Sequence, residues 1–128
     1  MSRGLADTSV FIADKSGRPL VADRLPDELG VSIVTVAELR AGVLAAASAA
    51  SRARRLATLE RALELDPVPI DDAVARAWAE LRVSLRDAGQ RMGVNDSWIA
   101  ATAIALGISL VTQDAAIPAV AGLDVVVV

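Results

Sequence analysis

Short apolar runs along this chain repeatedly stop at an acidic or hydroxyl residue, and helical periodicity resumes just beyond. Gly4-Leu5-Ala6 meets Asp7-Thr8-Ser9, three helix-capping types, before Val10-Phe11-Ile12, which predicts a strand followed by a helix. Gly17-Arg18-Pro19 breaks that helix, and a second short one is predicted over residues 20–25, ahead of Pro26. β-Branched composition predicts a strand over residues 31–34. Thr35-Val36-Ala37-Glu38 then has the spacing of a capping box, opening a helix to about residue 50. Ser51 is expected to cap the next helix, in which Leu56, Leu59 and Leu63 recur at helical spacing. Pro67-Val68-Pro69-Ile70 fits only a short edge strand, because proline lacks a ladder donor. Asp71 and Asp72 start a long helix carrying Val74, Trp78, Leu81 and Leu85 on one face, ended by Gly89. Asn95-Asp96 opens an alanine-rich helix to Gly107. Strands are predicted over residues 108–111 and 125–128, with a turn at Thr112-Gln113-Asp114.

Strands alternating with helices define an α/β fold with a mostly parallel sheet covered on both faces. In such a sheet every strand ends at one edge, and ligands bind in the crevice beyond it. Asp7 follows the first predicted strand, Glu38 lies in the first turn after the second, and Asp114 follows the strand over 108–111, so all three face that crevice. Asp96 follows a loop, and reaches the same edge if that loop returns the chain there. Taken singly, each acid reads as a cap: Asp7, Asp96 and Asp114 as N-caps, Glu38 as the partner of Thr35. Together they repel unless protons or a cation neutralise them. Oxygen donors without nitrogen or sulfur suit Mg²⁺ or Mn²⁺. Thr8, Ser9 and Thr112 stand beside these acids, placed to orient ligands or water.

Composition removes most competing chemistries. The 128 residues suit a single domain over residues 1–128. Cysteine is absent, excluding disulfides and thiol nucleophiles. Histidine is absent, excluding Ser-His-Asp and Cys-His hydrolases, histidine-based RNA cleavage and histidine zinc sites. The apolar segments 41–50 and 99–111 fall short of the roughly 20 residues of a membrane span, and Asp7 and Asp14 interrupt any signal-like stretch. A soluble, cytoplasmic protein with no membrane partner is expected. The net charge of −3 argues against nucleic acid, but four carboxylates neutralised by a cation would leave +1 on the remainder. The basic residues are arginines apart from Lys15, and arginine favours bidentate phosphate contacts.

Asp7-Thr8-Ser9, Thr35-x-x-Glu38-Leu39, Asn95-Asp96-x-x-Ile99-Ala100-Ala101-Thr102-Ala103 and Leu110-Val111-Thr112-x-Asp114 resemble, in order, the motifs of PIN domains. The toxin ribonucleases of VapBC toxin–antitoxin pairs are the most similar group. The resemblance covers nearly the whole chain. It implies a PIN-like three-layer fold with about four to five strands, and Mg²⁺- or Mn²⁺-dependent endoribonuclease activity. It also implies dimerisation and inhibition by a cognate VapB-type antitoxin whose C-terminal segment occupies the active-site groove. It assigns catalysis to Asp7, Glu38, Asp96 and Asp114. Asp7 and Asp96 ligate the metal, Glu38 and Asp114 act through water or at a second ion, and Thr8, Ser9, Asn95 and Thr112 support them. Metal-activated water would attack an RNA phosphodiester in line. Many relatives carry an arginine after the last threonine and an acidic–aromatic pair soon after; here the chain has Gln113 and Ala116-Ile117.

Two other acidic-site classes fit less well. A phospho-acceptor domain wants paired acids after the first strand and a lysine near the last strands, whereas Asp7 precedes Thr8-Ser9 and the only lysine is Lys15. An aspartyl phosphatase wants Asp-x-Asp, and residue 9 is serine. The standing alternative is a non-catalytic module that binds antitoxin or RNA. Arg52, Arg54, Arg55, Arg61, Arg82, Arg86 and Arg91 are candidates for an RNA or antitoxin surface, and Val10-Phe11 or Leu39-Val43 for a dimer seam.

Overall fold

The computed structural model describes residues 1–13 and 19–128. Four parallel strands, β1 (Arg3–Ala6), β2 (Glu28–Val31), β3 (Ser109–Thr112) and β4 (Val125–Val127), lie in the order β2-β1-β3-β4. The chain leaves β1 toward β2 on one side, then crosses back to β3 on the other. The gap between the C-terminal ends of β1 and β3 is therefore the topological switch point.

Alternation along the central strands sorts their side chains between two layers of helices. Leu5 and Leu110 enter a core with Val74, Ala77, Leu81 and Leu85 of α4 (Asp72–Asp87) and with Ile99, Ala100, Ala101 and Ala103 of α5 (Val94–Leu106). Ala6 and Val111 point the other way, to Val10 of α1 (Thr8–Phe11) and to Val128. A third cluster joins Val31 to Val36 and Leu39 of α2 (Ile33–Leu44) and to Leu59 and Ala62 of α3 (Ala49–Leu63). The α/β sheet flanked by helices matches the expected class, with four strands.

Helix α5 is wrapped by β1, β3, α2 and α4, which explains its composition. Alanine on several faces lets neighbours approach, and Thr102 satisfies its hydroxyl on the Trp98 carbonyl at 2.8 Å. Gly107 ends the helix in the left-handed conformation, φ 66°, where a Cβ would be strained.

Several local expectations are corrected. The second strand is Glu28–Val31, not residues 31–34, because Ser32 caps α2 by accepting from the Val34 amide at 3.0 Å. Ile33 and Val34 are thus helical despite their β-branching; packing overrides propensity. The capping box between Thr35 and Glu38 does not form, since both lie inside α2. That helix ends at Leu44, and Ser48 rather than Ser51 caps α3, accepting from the Ser51 amide at 3.1 Å. Of the three leucines in α3 only Leu59 is buried; Leu56 and Leu63 are exposed. Residues 20–25 hold a single 3₁₀ turn, Ala22–Arg24. Pro67 to Ile70 contributes one parallel bridge, Ser32 to Val68, and no strand. The helix break expected at Gly17-Arg18 lies outside the described residues. Val10 and Leu39, offered as dimer-seam positions, are committed to the chain's own core, with Phe11 and Val43 packed beside them.

Gly4 sits where β1 meets β3 most tightly. A Cβ there would lie 2.6 Å from Val111 Cγ2 and 2.9 Å from Pro26 Cγ. Gly4→Ala is therefore expected to cost about 1–3 kcal/mol through overpacking. A lowered urea midpoint with an unchanged slope would register it.

Candidate active site

Each predicted acid reaches the strand-end crevice by a different local device. The Asp7 amide donates to the Val111 carbonyl at 2.9 Å, continuing the β1–β3 ladder one residue past β1. Its carboxylate then caps α1, accepting from the Ser9 amide at 3.0 Å and from the Ser9 hydroxyl. Ser9 Oγ in turn accepts from the Gln113 amide at 2.9 Å and lies 3.4 Å from Thr112 Oγ1. The ends of β1 and β3 are thereby laced together through one hydroxyl.

Asp114 turns on the same lacing. Its amide donates to Thr112 Oγ1 at 3.0 Å, and its carboxylate accepts from the Ala116 amide at 2.8 Å, holding the turn after β3. Glu38 comes from α2, and Thr8 Oγ1 donates to Glu38 Oε1 at 2.6 Å while lying 3.1 Å from the buried Thr35 hydroxyl. A hydroxyl has one proton, so the Thr8 proton goes to the carboxylate and Thr35 supports the oxygen behind it.

Asp96 is not the N-cap of α5. Gly93 holds that position without a side-chain bond, and Asp96 is the third helical residue. Its carboxylate receives no hydrogen bond from the described residues, so the capping reading fails for this acid. Asn95 is exposed and lines the cavity beside Glu38.

Two of the four acids are shifted by their surroundings. Burial raises the Asp7 carboxyl above its ordinary value near 3.8; hydrogen bonds from the Ser9 side chain, Thr112 and the Ser9 and Val10 amides oppose that rise. Asp7 is only 6% exposed. Asp96 is also raised, first by desolvation in the crevice, then by the negative charges of Asp7, Glu38 and Asp114. No arginine among the described residues forms an ion pair with any of the four.

Glu38 stands between two cavities. One, of about 470 Å³, is lined by Thr8, Ile12, Leu39, Gly42, Arg55 and Thr58 as well as Glu38. The other, of about 520 Å³, is lined by Val34, Ala37, Ala41 and Asn95 with Glu38. In the first, Arg55 Nη1 donates to the Gly42 carbonyl at 2.6 Å, which fixes its guanidinium on the wall.

The sequence from Leu5 to Leu123 matches the family model of the PIN domain. The chain belongs to the PIN-domain family, in its VapC branch. It is 50% identical over 111 residues to "Ribonuclease VapC5" of Mycobacterium tuberculosis, covering 87% of this chain and 82% of that protein. With "Ribonuclease VapC4" of the same organism the identity is 52% over 113 residues, covering 88% and 86%. Among solved structures, VapBC-5 from M. tuberculosis superposes over all of both chains with a TM-score of 0.91 at 44% identity. FitAcB from Neisseria gonorrhoeae gives 0.73 at 30%, covering 87% of each chain.

The donor set fits a hard divalent cation: it is all oxygen, like-charged and without a protein counter-charge among the described residues. Among these residues no three acids gather closely enough to hold an ion by themselves.

The Ser9 hydroxyl, expected from the sequence to orient ligands or water, instead joins Asp7 to the β3 turn. Thr35 partners Thr8 rather than Glu38. The sequence points to Thr35 as the capping-box partner of Glu38, whereas the structure buries its hydroxyl against Thr8.

A carboxyl raised in the folded state holds its proton more tightly there than in the unfolded chain. Stability is then highest below the unfolded value near 3.8 and falls as pH rises through the interval up to the raised folded value. In chelator, the wild type is expected to lose stability over that interval, and Asp7→Asn to lose less. Urea midpoints measured against pH test this; parallel profiles would contradict it.

Proposed function

We propose that this PIN domain, spanning residues 1–128, is a Mg²⁺- or Mn²⁺-dependent endoribonuclease, the toxin of a type II toxin–antitoxin pair. The observation that carries the reading is Asp96, a carboxylate with no hydrogen bond from the described residues, facing three other carboxylates at the switch point. Asp96 is exposed in the crevice, so its carboxylate is open to a cation that would offset the neighbouring charges. Relatives named ribonucleases at 50% and 52% identity support RNA as the substrate class.

Asp7 and Asp96 would hold the ion, with Glu38 and Asp114 contacting it through water or at a second ion. When bound, it supplies a water nucleophile at neutral pH and offsets charge on the phosphodiester. Thr8 keeps one Glu38 oxygen engaged and leaves the other free to orient water. Ser9 holds Asp7 in place and keeps the Asp114 turn in register through Gln113. With no histidine in the chain, no imidazole serves the leaving oxygen.

The solved neighbour VapBC-5 is titled as a member of a toxin–antitoxin family, and this supports a cognate VapB-type antitoxin as the partner. Its inhibitory segment would occupy the groove along Glu38, where two cavities meet. A homodimer working in the cytoplasm completes the proposal. No helix among the described residues is long and apolar enough to cross a membrane.

The second reading, a non-catalytic module, draws on Asp7 and Asp114, whose carboxylates do cap local backbone. Metal titration separates the two. The catalytic reading expects saturable Mn²⁺ binding and RNA cleavage that leaves 5′-phosphate and 3′-hydroxyl ends. Cyclic phosphate ends would sink the water mechanism, and absence of both binding and cleavage would sink the enzyme.

Asp7→Asn and Asp96→Asn are each expected to remove cleavage by more than about 100-fold while remaining folded. Ser9→Ala, which removes only an outer partner, should cost about 10- to 100-fold in activity or metal affinity. Single-turnover cleavage with circular dichroism on the same samples checks both.

A further inference from the structure

Three of the arginines noted in the sequence gather in one place. Arg82, Arg86 and Arg91, with Leu85, Gln90 and Met92, line a cavity of about 210 Å³ at the end of α4 and in the connection to α5. Because α5 leads into β3, its N-terminus and that connection lie at the strand ends, on the same edge as Asp7 and Asp114. The connection also touches the site: a Cβ on Gly93 would sit 3.5 Å from Asp96 Oδ2. Arg91 is two residues earlier, within about 7 Å of extended chain.

Two of the three charges have no carboxylate partner among the described residues. Arg86 approaches the exposed Asp87 at 3.4 Å, but no carboxylate among the described residues pairs with Arg82 or Arg91. Arg82 is nevertheless held in position. Its guanidinium lies 5.2 Å from the centroid of the Trp78 ring, and Trp78 stacks on Trp98 at 4.4 Å and 5°. Trp78 Nε1 donates to Ser97 Oγ at 3.0 Å, and Ser97 Oγ donates to the Val94 carbonyl at 2.6 Å. Arg82 is thereby keyed to the first turn of α5, the turn that carries Asp96.

We propose that Arg82, Arg86 and Arg91 form a phosphate-binding site for the single-stranded RNA backbone, a few nucleotides from the scissile bond. This rests on the ribonuclease reading of the carboxylate crevice. A planar guanidinium fork suits phosphate oxygens. No aromatic side chain among the described residues lines the cavity, and Trp78 is already engaged by Trp98 and Arg82, so the site reads the backbone rather than stacked bases. It also answers the charge problem of the crevice: the acids at the switch point repel RNA, and cations on the same edge hold the strand against that repulsion.

The test is binding without cleavage. Fluorescence anisotropy in EDTA would follow a labelled single-stranded RNA of roughly 12 nucleotides against the full chain, across a salt series. Arg82→Gln/Arg91→Gln is expected to bind about tenfold more weakly. Its log K against log salt slope should shrink by about 1.4, near 0.7 for each phosphate no longer neutralised. Arg91→Gln alone, which leaves the tryptophan stack untouched, should give about half of that change in slope, and it carries the test if the double variant fails to fold. Arg76→Gln, whose partner is Asp72 at the other end of α4, should match wild type.

Wild-type affinity and slope in folded arginine variants would overturn the proposal. So would unchanged RNA binding together with lost binding to an antitoxin, which would make the cluster a protein contact. Wild-type cleavage in Mn²⁺ is measured beside these. If wild type cleaves RNA and the arginine variants bind normally, the phosphate site alone fails. If binding falls as expected but wild type cleaves nothing, the ribonuclease reading fails.

Discussion

The hydrogen bond from the Asp7 amide to the Val111 carbonyl sets the geometry on which the rest of the site depends. It extends the β1–β3 pairing one residue beyond the strand, so the first acid is fixed by backbone register before its side chain makes any contact. Register in a parallel pair cannot slip by one residue without turning every side chain to the wrong layer. Leu5 and Leu110 belong to the α4–α5 core, Ala6 and Val111 to the opposite one. Core packing therefore holds Asp7 beside the Thr112 turn. Ser9 completes the arrangement by bridging both sides with a single hydroxyl.

What this register brings together is electrostatically unfavourable in the protein alone. Asp7 is buried, Asp96 is partly desolvated and lies near three like charges, and both are raised as a result. The fold tolerates the tension because each acid is mounted on a separately stabilised element: a ladder extension, a helix interior, a helix first turn and a post-strand turn. Under the proposed metal-dependent reading, an ion at the crevice would relieve the repulsion, and stability and function would oppose one another at these positions.

Legibility in the sequence follows which force sets each feature. Helix α4 is readable because Asp71 is a side-chain cap and Val74, Leu81 and Leu85 repeat on one face; α5 because Gly107 ends it. Strand β2 falls three residues earlier than its composition suggests because Ile33 and Val34 look like strand, yet tertiary packing draws them into α2 and makes Ser32 the cap. The four acids are visible through their order along the chain and their places after predicted strands. Their tie to Thr35, Ser9 and each other is not, because hydroxyl bonding across 27 or more positions leaves no local trace. The arginine cavity is equally hidden. Arg82 and Arg86 are helical neighbours, but Arg91 joins them only through the path of the connection to α5.

Helix α5 gives the molecule a further property. It carries Asp96 at one end and is enclosed by a sheet and two helices along most of its length, with Ala100, Ala101 and Ala103 as the contact residues. A close-packed interior transmits displacement, so side-chain volume added at any of these alanines moves the helix as a rod. The carboxylate at its end would be carried out of position with its charge intact. Misplacement of about 1 Å can cost on the order of 100-fold in rate. If Asp96 acts as proposed, a methyl group added deep in the core, at a position remote from the crevice, would be a way to silence the site.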